Sequence, residues 1–231
     1  MKILLLMTSL GLLGYSGLAN ASTMDLPTQL AAIDRAENSL NIEGLQQLTH
    51  TTEDYAKAYA NYRLAINANV MGQKNTASDA LNVSSHTLES LIERQVDVEY
   101  LSLLASVYGM QIGLDSSKGA TLGRKSSNAI KRAEALNEHN PRLILVKAIS
   151  AFSTPIIFGG SMQNALTYSN KAISEFDNPC EEICWGEAEA YTWRGLTKQA
   201  LGDKRGATQD WLQALQIQPD YGWATFLLQQ Q

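Results

Sequence analysis

The chain has 231 residues, of which 45% are hydrophobic and 18% charged, with a net charge of −5. That length suits one domain or one continuous repeat array. The mildly acidic balance excludes a general basic stripe for nucleic acid or anionic lipid, and the low count of five prolines favours helix.

The chain opens MKILLLMTSLGLLGYSGLANAS. Lys2 gives a positive start, Ile3 to Leu13 is a short apolar run, and Ala19-Asn20-Ala21 is an A-x-A cleavage pattern. Residues 1–21 therefore read as a signal peptide and 22–231 as a single helical repeat domain, with Ser22 at the mature N-terminus. No cysteine lies near the cleavage point to carry a lipid anchor. The next most apolar window, Leu143 to Phe158, carries Lys147 and Pro155 and is too short to span a bilayer. The expectation is a soluble exported protein, periplasmic or secreted, with no stable membrane span.

The first predicted element is a helix over about 25–48. Four helical hairpins follow, over about 51–94, 97–138, 141–177 and 186–218, and a short helix over about 220–230 closes the chain. The first hairpin places Ala65, Ala77 and Leu81 at offsets 0, 12 and 16. The second carries Ala105 and Tyr108, then Ser126, Ile130 and Ala133. The third carries Ala148, then Ala165 and Ala172. The last is the clearest: Gly195, Ala207, Trp211, Ala214 and Pro219 fall at offsets 0, 12, 16, 19 and 24, with Tyr191 upstream. Small residues suit the close approach of two helices. Leu201-Gly202-Asp203 supplies a glycine stop and a capping aspartate.

This spacing resembles the tetratricopeptide repeat, although Arg194 and Lys198 stand where that repeat usually has leucine and tyrosine. Asn140-Pro141-Arg142, the TP…FGG join and NALTYSNKAI also look like a tetratricopeptide-like group in exported bacterial proteins. The resemblance implies an all-α fold, a right-handed α-solenoid of antiparallel helical hairpins with terminal cap helices. It further implies a concave groove lined by the first helices. The groove positions would be Tyr59, Tyr62, Ile66 and Asn69, then Glu99, Ser102, Ser106 and Gly109. Arg142, Leu145, Ile149 and Phe152 would follow, then Glu189, Thr192, Leu196 and Gln199.

Two hairpins depart from the repeat spacing. Ala148 to Ala165 is 17 residues and Ala105 to Ser126 is 21, against the usual 12. The extra residues fall at the turns TPIIFGGS (154–161) and GLDSSKGATLGRKSS (113–127), both predicted as irregular loops on one edge of the array. Pro155 disfavours helix at Thr154, Gly159 and Gly160 permit unusual backbone angles, and Ser161 can cap the next helix. Ile156, Ile157 and Phe158 are expected to tuck back onto the core. Gly119, Gly123, Gly159 and Gly160 would let the two loops lie close, with Lys118, Arg124 or Lys125 bordering any ligand site there.

Few residues suggest chemistry. GATLGRKS at 119–126 has the wrong glycine spacing for a phosphate loop and no strand before it. Lys118, Arg124 and Lys125 could hold an anion near a helix start. Cys180 and Cys184, one helical turn apart, are expected to form a structural disulfide in an oxidising compartment. His50, His86 and His139 are scattered, so no metal site is expected. Paired acids at Glu181–Glu182 and Glu187–Glu189 suit helix starts. Asn82-Val83-Ser84 is a glycosylation triplet by pattern only. The tryptophans, all between Trp185 and Trp223, read as core of the last repeat and its cap.

The sequence thus points to binding without catalysis and without a cofactor: an exported adaptor for a peptide or protein segment. The alternative is the small-molecule binding component of an envelope transport system. Fractionation is expected to find the protein outside the cytoplasm with Ser22 first; full-length chain in the cytosol would defeat that expectation.

Overall fold

The structure, a computed structural model, describes residues 24–230; the signal peptide read at 1–21 lies outside them. The helices are α1 (Leu26–Asn38), α2 (Ile42–Thr51), α3 (Asp54–Val70), α4 (Lys74–Arg94), α5 (Val98–Leu114), α6 (Gly119–Leu136), α7 (Pro141–Ser153), α8 (Met162–Phe176), α9 (Glu187–Ala200), α10 (Lys204–Ile217) and α11 (Gly222–Gln229). Short 3-10 turns occupy Ser116–Lys118 and Ile156–Phe158. Among the described residues there is no strand.

Consecutive helices pair into five antiparallel hairpins, α1–α2 through α9–α10, with α11 resting on α10. The first helices form an inner layer: α1 touches α3, α3 touches α5, α5 touches α7 and α7 touches α9. The second helices form an outer layer and make no substantial contact with one another. This is an all-helical arrangement consistent with an α-solenoid.

Local chemistry sets the element ends. Asp25, Asn41, Asp97, Asn140, Ser161 and Asp203 each accept a hydrogen bond from a first-turn backbone N–H of α1, α2, α5, α7, α8 and α10. α7 stops at Ser153, just before Pro155, because the proline ring opposes helix at the residue before it.

The expected single helix over 25–48 is in fact the hairpin α1–α2. The chain turns at Ser39–Asn41, where Leu40 takes φ 51°. Asn41 donates its backbone N–H to Ala36 and caps α2 with its side chain. Among the described residues the array therefore has five hairpins where sequence spacing suggested four.

The small residues that marked the repeats are buried: Ala65, Ala77, Ala105, Ala133, Ala148, Ala165, Ala172, Ala207 and Ala214. At Gly195 a Cβ would strike the Trp211 indole. That indole is fully buried and donates to the Thr192 carbonyl at 3.2 Å. Arg194 and Lys198, the departures from the repeat pattern, both reach Asp210: Arg194 bidentately at 2.6 and 2.9 Å, Lys198 at 2.8 Å. They replace apolar contact between α9 and α10 with a mostly buried charge network.

Both insertions lie at within-hairpin turns of adjacent hairpins, and the shared direction of α5 and α7 puts those turns on one edge. Their form differs from expectation. The predicted loop around residues 113–124 shrinks to Asp115–Lys118, because α5 runs on through Gly113 and α6 begins at Gly119. Gly119, Gly123, Arg124 and Lys125 are helical, and the insertion lengthens two helices instead of opening a loop. In the other insertion Ile156, Ile157 and Phe158 are 87%, 84% and 75% exposed, so Phe158 does not pack inward. The backbone explains why. Phe158 and Gly160 donate N–H to the Pro155 carbonyl, and Ser161 donates to the Ala151 carbonyl. The turn closes on its own main chain, and a Cβ at Gly160 would collide with the Thr154 carbonyl. The three apolar side chains are left pointing out.

Because Gly195 is filled by the Trp211 ring, Gly195→Ala is expected to cost roughly 1–3 kcal/mol of stability by overpacking. In a Trp211→Ala background, itself costing roughly 3–5 kcal/mol, the same change should cost under about 0.5 kcal/mol. Urea unfolding of the four chains checks this; additive losses would contradict the contact.

Candidate functional site

The inner layer is filled by its own side chains. Of the positions expected to line a groove, Tyr59, Tyr62, Ser102, Arg142, Leu145, Glu189 and Thr192 are buried, while Glu99 and Phe152 are partly buried. Asn69 and Gln199 are exposed. Arg142 grips Glu99 bidentately, with both contacts at 2.6 Å, and Asn140 donates to the same carboxylate. These residues bind α7 to α5 rather than presenting a face to a peptide. The physical reason is closure: aromatic rings from α3 occupy the space that a concave channel would need. Tyr59 stacks on Trp185 at 5.3 Å between centroids, Tyr55 stacks on Tyr100 at 5.7 Å, and the Trp185 N–H donates to the Tyr55 hydroxyl at 3.0 Å.

The centre of this closure is Arg63 of α3. It is 4% exposed. One terminal nitrogen contacts Glu37 of α1 and the other Glu189 of α9, each at 3.2 Å. Its guanidinium lies over Tyr59 at 4.8 Å and Trp185 at 5.2 Å, and its Nε has no hydrogen-bond partner among the described residues. Asp34, one turn before Glu37, accepts from the Tyr59 hydroxyl at 2.6 Å. Burial works against the Arg63 charge, but Glu37, Glu189 and Asp34 hold its pKa well above the ordinary value. Burial pushes Glu37 up to about 7; Arg63 opposes the rise, while Glu189 and Asp34 add to it. Asp34 is raised for the same first reason. A cavity of about 220 Å³ opens beside this cluster, walled by Asp34, Glu37, Arg63, Glu189, Trp185 and Tyr221.

A second, more open depression of about 590 Å³ lies on the outer layer, between α4 and α6. It exists because those two second helices stand apart and meet only through long side chains. Its floor is apolar, made by Leu101 and Leu104 of α5 with Ile92 of α4. Tyr108 of α5 donates to Glu89 of α4 at 2.5 Å, and Lys125 of α6 pairs with Glu89 at 3.1 Å. Arg124, Asn128 and Arg132 recur every four residues along the α6 rim. Arg124 and Arg132 are exposed and make no ion pair among the described residues.

Of the expected anion edge, Arg124 and Lys125 thus border a depression, and Lys118 does not. Lys118 sits at the α5–α6 turn with Asp115 at 3.9 Å. Cys180 and Cys184 form a disulfide with Cα atoms 5.6 Å apart, in the connection between α8 and α9 that also delivers Trp185. Among the described residues no group of three or more His, Cys, Asp or Glu could hold a metal ion. No helix among them is long and apolar enough to cross a membrane.

Sequence spacing missed Asp34, Glu37 and Arg63 as a unit. One signal was available: Arg63 sits in AYANYRLA, a charge among alanines and tyrosines on every face of its helix. No family model matches this chain, and no curated protein matches it.

Glu37 takes up a proton more readily in the folded than in the unfolded chain. Between its ordinary value near 4.5 and about 7, the native state binds more protons. Stability is therefore expected to fall as pH rises through that window, by up to about 3 kcal/mol. Glu37→Gln should flatten the profile. Denaturant midpoints from pH 5 to 8 check this; a wild-type profile that rises with pH there would contradict it.

Proposed function

We propose that the chain is a non-catalytic binding protein that holds an acidic, partly apolar peptide or protein segment in the α4–α6 depression. The observation that carries this reading is an apolar floor beneath two arginines without ion-pair partners among the described residues. Apolar side chains of a ligand would displace water from Leu101, Leu104 and Ile92. Its carboxylates would meet Arg124 and Arg132, whose forked donors suit bidentate contact. Lys125, already paired with Glu89, holds the two walls in register. The site lies on the outer layer, where there is room, and not on the inner layer that the repeat resemblance suggested.

We also propose export. The Cys180–Cys184 bridge suits an oxidising compartment, and residues 1–21 carry the features of a secretory leader. A tetratricopeptide-like, right-handed array of hairpins remains the architecture we propose, on the repeat spacing and on the pairing of helices in the fold.

A second reading, a small-molecule component of an envelope transport system, is favoured by the cavity beside Arg63. Three acidic side chains around one guanidinium supply acceptor oxygens there, which suits a small organic amine between Trp185 and Tyr221.

Selection from a random peptide library is expected to enrich sequences that mix aspartate or glutamate with leucine or aromatic residues. Arg124→Glu with Arg132→Glu should weaken the selected peptides at least about tenfold with an unchanged melting temperature. Peptides that bind the double variant equally well would overturn the site. Amines that raise the melting temperature of wild type but not of Glu37→Gln would favour the second reading.

A further inference from the structure

The five within-hairpin turns share an edge, because the first helices all run in one direction. Each turn but one carries an exposed apolar residue at its tip. Leu40 ends the first, Val70 and Met71 the second, Ile156 to Phe158 the fourth and Leu201 the fifth. The fourth is the most prominent. Its three large side chains diverge from a single 3-10 turn, and that turn is closed by main-chain hydrogen bonds to Pro155 and Ala151. A closed turn cannot fold these side chains inward without breaking its own hydrogen bonds. Exposure of such a cluster has no compensating contact among the described residues and marks an interaction surface.

Charge is segregated in the same sense. The turn edge carries Lys74, Lys118, Lys204 and Arg205 against Glu43, Asp115 and Asp203. Two of those acids are already engaged: Asp115 accepts from Ser117 and Asp203 caps α10. Lys74, Lys204 and Arg205 make no ion pair among the described residues. The opposite edge holds Glu53, Asp97, Glu138, Asp177, Glu181 and Glu182 against Arg94, Arg142 and Lys171, of which Arg94 is paired with Asp54 and Arg142 with Glu99. The chain's net acidity is thus an average over two edges of different character. A convex apolar tip flanked by long cationic side chains needs no complementary pocket. It matches a deformable surface that is apolar below and anionic above.

We infer that this turn edge docks peripherally on an anionic lipid bilayer. Ile156, Ile157 and Phe158 enter the interfacial region, and Lys118, Lys204 and Arg205 meet lipid phosphates. The cations reach headgroups on long stems while the apolar tip sits deeper. Attraction to an anionic surface adds to the apolar contact and falls with salt. No spanning helix is required. The outer α4–α6 depression lies off this edge, so docking and peptide binding are separable.

The test is flotation of the purified full chain with vesicles of phosphatidylcholine alone or with about 30% phosphatidylglycerol, an anionic fraction high enough to give a strong surface potential. Wild type is expected to float with the anionic vesicles and to release at high salt. Ile156→Ser with Ile157→Ser and Phe158→Ser should lower the floated fraction at least about tenfold, with an unchanged circular-dichroism melting curve. Leu136→Ser, an exposed apolar change on the opposite edge, should have no effect. Phe158→Trp should gain indole fluorescence that brominated lipid quenches. Three results would each overturn the inference: no flotation of wild type, equal flotation of the triple variant, or no quenching of the fluorescence gained in Phe158→Trp. A concentration-dependent dimer lost in the triple variant, without vesicle binding, would assign the tip to self-association instead.

Discussion

A single buried guanidinium organises this molecule. Arg63 brings together three stretches of chain that are far apart in sequence: Glu37 from the first hairpin, Tyr59 and Tyr62 from its own helix, and Glu189 from the last hairpin. A cation this deep is tolerable only with carboxylates against it. The carboxylates in turn accept burial only with the cation present. The stacked rings around it exclude water and strengthen each interaction. The inner layer is therefore filled by its own side chains, apart from the cavity beside Arg63.

Much of the fold was legible in the sequence because small residues at fixed spacing report close helix approach. Ala65, Ala77, Ala105, Ala165 and Gly195 announced hairpins at boundaries within a few residues of those seen. The disulfide was legible from an even pair of cysteines one helical turn apart. The first hairpin was not, since its break rests on Leu40 adopting an angle that leucine rarely takes. The insertions were placed on the correct edge, but their form was misread. Glycine at 113, 119 and 123 suggested loop, whereas packing of α5 and α6 overrode that local preference.

Phe158 shows a different limit. A rule that bulky apolar residues bury is statistical, and it fails where the main chain closes a turn with its own hydrogen bonds. The groove positions show a third. Repeat spacing places residues on the inner layer, but it carries no information on whether that layer is open. Openness depends on contacts between α3 and α9, which are more than a hundred residues apart. Tyrosines at 55, 59 and 62 fill a face that smaller residues would leave empty.

The hydrogen bond from Asn38 to Asp220, at 3.3 Å, has a consequence for how the chain comes apart. An open row of repeats is quasi-one-dimensional: each unit answers only to its neighbours, and the ends fray first. Here α1 and the approach to α11 meet, and a backbone oxygen of Asn38 lies 3.4 Å from where a Gly222 side chain would begin. Peeling either end away would break this contact, so the two ends of the array are coupled. Amide exchange in the outermost helices would then be slower than independent fraying of each end would give.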